Sequence, residues 1–130
     1  MDTPLPRLAA LGNQLIEIHI ELREQLRSLD GSLPAHCVAF CAAVHGHHTA
    51  EDTSVFPRLA REYPSLGPVL AELERDHRQI AEILRRLAAG PSSDELAGLQ
   101  ALLESHFTYE ERKLVAALNA LDADLDLRGS

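Results

Sequence analysis

The chain has 130 residues, the usual span of a single domain, and 45% of them are hydrophobic, enough to bury a core without staples. Its 12 basic and 20 acidic residues give a formal charge of -8, the wrong sign for a phosphate-binding surface, which argues against nucleic acid as a partner. No apolar run nears the roughly 18 to 20 residues that cross a bilayer, and the opening MDTPLPRLAA has no basic region leading into an apolar one, so a cytoplasmic protein without membrane attachment is expected.

Aromatic residues make up only 4% of the chain, and β-branched residues never cluster with period-two alternation, so strands find little support. Leu8, Leu11, Leu15, Ile18, Leu22, Leu26 and Leu29 recur at three- and four-residue steps. They predict a first helix from near Pro4 to Pro6 through Asp30-Gly31. Ser32 can cap a second helix reaching about Arg61, with Val38, Cys41, Val44, Val55 and Leu59 on one stripe, and Tyr63-Pro64 stops it. Pro57 must kink this helix or mark a break, because the ring removes a helical hydrogen bond. Cys37 and Cys41 sit within the apolar pattern at a spacing that is neither CxxC nor a zinc pair, and read as core packing.

A third helix, roughly Ser65 to Ala89, carries Val69, Leu73, Ile80, Leu84 and Leu87 and closes at Gly90-Pro91. The fourth opens with the serine caps of PSSDEL, whose Asp94 and Glu95 suit the positive end of a helix, and continues through Leu96, Leu99, Leu103, Phe107, Leu114, Leu118 and Leu121. Four long helices joined by short turns predict an all-α fold, an antiparallel up-down four-helix bundle over residues 1–121. Residues 122–130, DADLDLRGS, read as an acidic flexible tail with no assigned role.

Polar residues interrupt the apolar stripes. At about 100° per residue, His19 falls among Leu8, Leu15, Leu22 and Leu26, at the centre of its apolar face. His77 lies between Leu73 and Ile80, and His106 and Glu110 stand one turn apart beside Leu103, Phe107 and Leu114. A lone buried histidine is usually a hydrogen-bonded core residue, but two Glu and four His converging in one core need a cation to compensate them. An internal repeat sharpens the choice: shifting by 59 residues (106 − 47) lays HHTAEDTSVFPRL on HFTYEERKLVAAL, matching His47 with His106, Glu51 with Glu110 and Asp52 with Glu111. Both segments read H-x-T-x-E, a histidine and a glutamate on one helix face, and two such faces across a bundle suit a dinuclear carboxylate–histidine site. The repeat favours His47 and Glu51 over the equally spaced His48 and Asp52, which then stand behind the ligands or substitute for them. His36 and His45 lie off that stripe and are expected at the surface or its boundary.

The run from His47 to Pro57 resembles the repeat of the hemerythrin-like (HHE cation-binding) domain family, H-x-x-x-E-E-x-x-hydrophobic-aromatic-Pro, and His106 to Leu114 match its second copy. His19 and the Asp76-His77 pair occupy the expected places on the first and third helices, so the resemblance covers nearly the whole chain. It implies a non-haem di-iron centre with His19, His47, Glu51, His77, His106 and Glu110 as metal ligands, the two iron ions being bridged by Glu51, Glu110 and an oxo or hydroxo group. The ligand set alone would also admit manganese or zinc.

One departure bears on function. Oxygen carriers of the family have a further histidine one turn before the position of His77, where this chain has Leu73. The resulting extra open position could be taken by water, Tyr109, His48 or Asp52, and it shifts the expectation from a pure oxygen carrier towards reaction with peroxide, O2 or NO, including catalase- or peroxidase-type turnover. Leu15, Leu73, Ile80 and Phe107 are expected to line a dry pocket that excludes bulkier substrates. Tyr109 either donates a hydrogen bond or proton to the site or caps the apolar face with its hydroxyl at the surface. The second reading is an oxygen or iron sensor or storage module without turnover, and the third a metal-free helical interaction module. No electron donor or protein partner is legible.

Overall fold

The computed structural model describes residues 10–29, 34–87 and 92–129. The apolar stripes become four long helical rods. The first, α1, spans Leu11–Arg27 and buries Leu11, Leu15, Ile18, Leu22 and Leu26, one side of a 3.6-residue period. The second, α2, is α-helical over Pro34–Ala50, π-helical over Glu51–Val55 and α-helical again over Phe56–Glu62. A short 3-10 turn, Pro64–Leu66, leads into α3, Gly67–Leu87. The last, α4, runs over Ser93–Ala120 and starts at a full capping box: Ser92 accepts from the Glu95 amide, and the Glu95 side chain accepts from the Ser92 amide. Leu8, the Pro4 to Pro6 start, the Asp30-Gly31 stop, the Ser32 cap and the Gly90-Pro91 stop lie outside the described residues, as do the side chains of His36 and Cys37.

Packing runs round a square: α1 lies against α2 and α4, and α3 against α2 and α4. With connections this short, successive helices alternate in direction, which gives the up-down bundle. Among the described residues there is no strand, and no helix is long and apolar enough to cross a membrane. Leu15, Leu59, Leu73, Ile80, Leu99, Leu103, Phe107, Leu114 and Leu118 are fully enclosed along the axis. α1 and α4 approach closely at Gly12, where a Cβ would lie 2.5 Å from the Val115 carbonyl and the Asn119 side-chain oxygen. That approach lets Asn119 accept from the Asn13 amide at 3.2 Å.

Two features of α2 differ from the sequence pattern. Val38 does not join the core stripe: it is 64% exposed, and Phe40 turns inward in its place. Pro57 does not stop the rod; it stands in the first turn of the α-helical stretch that follows the π turn. Its missing donor is accommodated by the π turn just upstream, in which the Phe56 amide bonds to the Glu51 carbonyl and the Thr53 hydroxyl takes the Thr49 carbonyl at 2.7 Å. The wider turn begins at Glu51, in the middle of the polar cluster described next.

The segment after α4, whose composition suggests an acidic flexible tail, turns back along the bundle. Leu127 is buried within the core and Arg128 pairs with Glu21 of α1.

Candidate metal centre

Seven polar or ionisable side chains are buried among the described residues: His19, His47, His48, Glu51, His77, His106 and Glu110, none more than 5% exposed. All four helices contribute. Four of the histidines turn Nδ1 outward onto an acceptor. His19 Nδ1 meets Glu111 at 2.7 Å, His77 Nδ1 meets Asp52 at 2.8 Å, and His106 Nδ1 meets Asp76 at 3.3 Å. His47 Nδ1 lies 2.5 Å from the Leu127 carbonyl. A carbonyl or carboxylate oxygen can only accept, so each Nδ1 carries the proton and Nε2 is left facing the bundle axis.

The inward atoms fall into two groups. His48, His77 and His106 form one; His19, His47, Glu51 and Glu110 form the other, with the donor atoms of each group within 4.8 Å of one another. Glu51 joins them, its Oε2 being 3.4 Å from His47 Nε2 and its Oε1 3.2 Å from His77 Nε2. Glu110 Oε1 lies 3.0 Å from His19 Nε2. Nevertheless Nε2 of His48, His77 and His106, Oε1 of Glu51 and both oxygens of Glu110 have no hydrogen-bond partner. At His77 the inward Nε2 faces Glu51 Oε1 with no hydrogen bond between them. Orphaned buried acceptors facing one another are costly. A cation between them removes that cost, and imidazole nitrogen with carboxylate oxygen is a donor set for a transition metal, so these residues fit a metal site.

The hemerythrin HHE cation-binding domain model matches residues 7–118. The chain belongs to this family. No curated protein and no solved structure matches it.

The electrostatics of this HHE domain show protons standing in for a cation. Burial, reinforced by the adjacent Glu110, holds the Glu51 carboxyl well above the usual carboxylate range. At Glu110, burial acts in the same sense but is outweighed by His19 and Glu51, so this carboxylate stays ionised. His19 is raised despite its burial because Glu110 and Glu111 both favour its charged form. Burial pushes His47 down to about 4 and His48 well below the ordinary histidine value, the latter with help from neighbouring imidazoles. Neutral imidazole is the form that can ligate a metal.

The domain brings His19, His47, Glu51, His77, His106 and Glu110 together at one level of the bundle. His47 and His48 do not compete: both are buried, because adjacent side chains straddle the inward direction of α2. His48 stacks on the ring of His77 at 3.8 Å, as Phe107 stacks on His19 at 4.3 Å. Asp52 stands behind His77 rather than among the inward donors. Of the two alternatives for Tyr109 the structure has the surface one: its hydroxyl donates to Glu72, and the residue lies about 100° from Glu110 round α4. His45 is exposed. Leu15, Leu73, Ile80 and Phe107 are fully buried in the core. Sequence reasoning assigned no role to Leu127. It noted Asp76 and Glu111 beside His77 and Glu110 without seeing that each supports a histidine on a different helix.

Proposed function

We propose that this HHE domain is a non-haem di-iron protein that binds and reacts with a small oxygen species, peroxide, O2 or NO. The observation that carries the reading is the orientation of the donors. Four histidines on four helices commit their Nδ1 protons outward, leaving Nε2 of His77 and His106 facing inward with Glu51 Oε1 and both Glu110 oxygens, none of them hydrogen-bonded. Two groups of donors suit two ions, with Glu51 offering one oxygen to each group. His48 supplies the nitrogen that Leu73 cannot, so one group holds three imidazoles and the other two imidazoles with both carboxylates.

Iron, when bound, supplies Lewis acidity and redox capacity towards the small ligand. The chain does the rest. Asp52, Asp76, Glu111 and the Leu127 carbonyl orient the imidazoles, while Leu15, Leu73, Ile80 and Phe107 exclude water. A cleft of about 180 Å³ between α2 and α3 reaches His48 and His77, with Arg78 and His45 in its walls. Pockets for drug-sized ligands run from about 300 Å³ upward, so this cleft suits a smaller ligand.

Elemental analysis of purified protein tests the reading: two irons per chain are expected, and a metal-free protein that refuses added ferrous iron overturns it. Oxygen evolution on adding peroxide would establish turnover. A reversible spectral change without evolution would mark a binding or sensing module instead.

A further inference from the structure

Three of the four outward Nδ1 protons go to carboxylates carried by the bundle helices, while that of His47 goes to a backbone carbonyl beyond α4. Aligning His19 with His77 takes a shift of 58 (77 − 19), one residue short of the 59 that relates the motif helices, and it places Ile18, which has no side-chain acceptor, opposite Asp76. The Leu127 carbonyl takes that place, and it lies past residue 118, where the family match ends.

This carbonyl is held from three directions. The Leu127 side chain is 2% exposed and belongs to the core. Arg128 grips Glu21 of α1 with both guanidinium arms, at 2.6 and 2.9 Å, while its amide donates to Asp126 at 3.0 Å. Gly129 lies against Gly46, the residue before His47: a Cβ on Gly129 would sit 2.1 Å from the Gly46 carbonyl oxygen, and a Cβ on Gly46 would come within 3.3 Å of the Arg128 carbonyl. Gly129 also takes φ +80°, a conformation that glycine adopts freely. The HGHH run therefore has a use for its glycine, which is backbone contact between α2 and the returning segment.

We infer that residues 127–129 form a positioning strap for the His19–His47 half of the centre, the Leu127 carbonyl fixing His47 in the Nδ1–H tautomer so that Nε2 is presented to Glu51 and His19. The effect on metal rests on the di-iron reading; the effect on the tautomer does not. A neutral carbonyl makes imidazole a weaker donor than a carboxylate does, so loss of the strap bears on the ion of the His19–His47 half.

Two variants of the full-length protein test this: deletion of residues 122–130, and Gly129→Val, which displaces the strap while keeping every apolar side chain and so carries the test if the deletion loosens the bundle. In 15N-labelled metal-free protein, long-range ring correlations should show His47 as Nδ1–H in the parent and as a tautomer mixture in the variants, with His77 and His106 unchanged. In ferrous titrations one of two ions should bind about 10- to 100-fold more weakly, the usual effect of losing such a support. Variants that keep His47 wholly Nδ1–H and bind both ions with parental affinity overturn the strap. A parent that binds no iron would sink the di-iron reading alone, and the ring correlations would still decide this one.

Discussion

The His19–His47 half of the centre and the His77–His106 half are built from one repeated pattern and finished differently. In both, a histidine from the helix preceding the repeat motif is backed across the bundle by the acid that follows a motif glutamate: His19 by Glu111, and His77 by Asp52. The halves diverge where His48 stacks on His77 but Phe107 stacks on His19, and where Asp76 supports His106 but the Leu127 carbonyl supports His47. One half thereby gains a third nitrogen, with carboxylate supports for His77 and His106. The repeated motif places the donors, and single-residue differences then make the two positions unequal.

Removing what the halves share should do most. Glu51 faces both, so Glu51→Ala is expected to cut bound iron from two ions per chain to none, read by elemental analysis. Retention of two ions would show that the carboxylate is not shared. His48→Phe copies the Phe107 arrangement onto the other half and keeps a ring on His77. It should cost only the three-imidazole ion, with far-ultraviolet circular dichroism unchanged and the second ferrous equivalent weakened by more than tenfold. Asp76→Asn and Asp52→Asn leave the ligands in place and remove a charged support, so each should weaken one ion by about 10- to 100-fold in the same titration.

Acid should act on the metal-free protein in a set direction. Unfolded histidines take up protons near pH 6.5, whereas burial holds His47 at about 4 and His48 well below 6.5, and lowers His106 as well. Between those limits the unfolded chain binds more protons, so stability falls as pH falls. His19, whose value is raised, opposes the trend near pH 6.5, where its unfolded form takes up its proton, and adds little slope well below that. Glu51, also raised, opposes the trend as one group against three. The thermal midpoint should therefore drop from pH 6 to pH 4.5; a flat or rising profile would mean that the histidines are not held neutral.

The smallest change belongs to Arg128→Ala. Its pair with Glu21 is half exposed at both ends, and pairs of that kind contribute about 0–1 kcal/mol. The thermal midpoint should barely move, because Leu127 and the Gly46–Gly129 contact remain.

Much of this was legible in the residues because helical periodicity is a property of side chains. The apolar stripes located the four rods, and the 59-residue shift aligned His47 with His106 and Glu51 with Glu110. Three things escaped for physical reasons. An ideal wheel inclines His47 and His48 equally and the repeat favours His47, which sets them up as alternatives; in the bundle, neighbouring rings reach into different donor groups. Val38 and Phe40 exchanged places because a stripe read from composition cannot say which of two nearby apolar residues points inward. The support for His47 is a backbone atom, which no residue type announces, within a segment whose alternating aspartates suggest solvent. Leu125 and Leu127 were the available signal, two leucines at a spacing of two among those acids.

Anomalous scattering at the iron edge, from crystals grown with ferrous iron, tests the central claim most directly. Two peaks inside the bundle are expected, one among His48, His77 and His106 and one between His19 and His47, with Glu51 reaching both. A single peak, or iron found only at surface carboxylates while the seven buried donors bind nothing, would contradict the account.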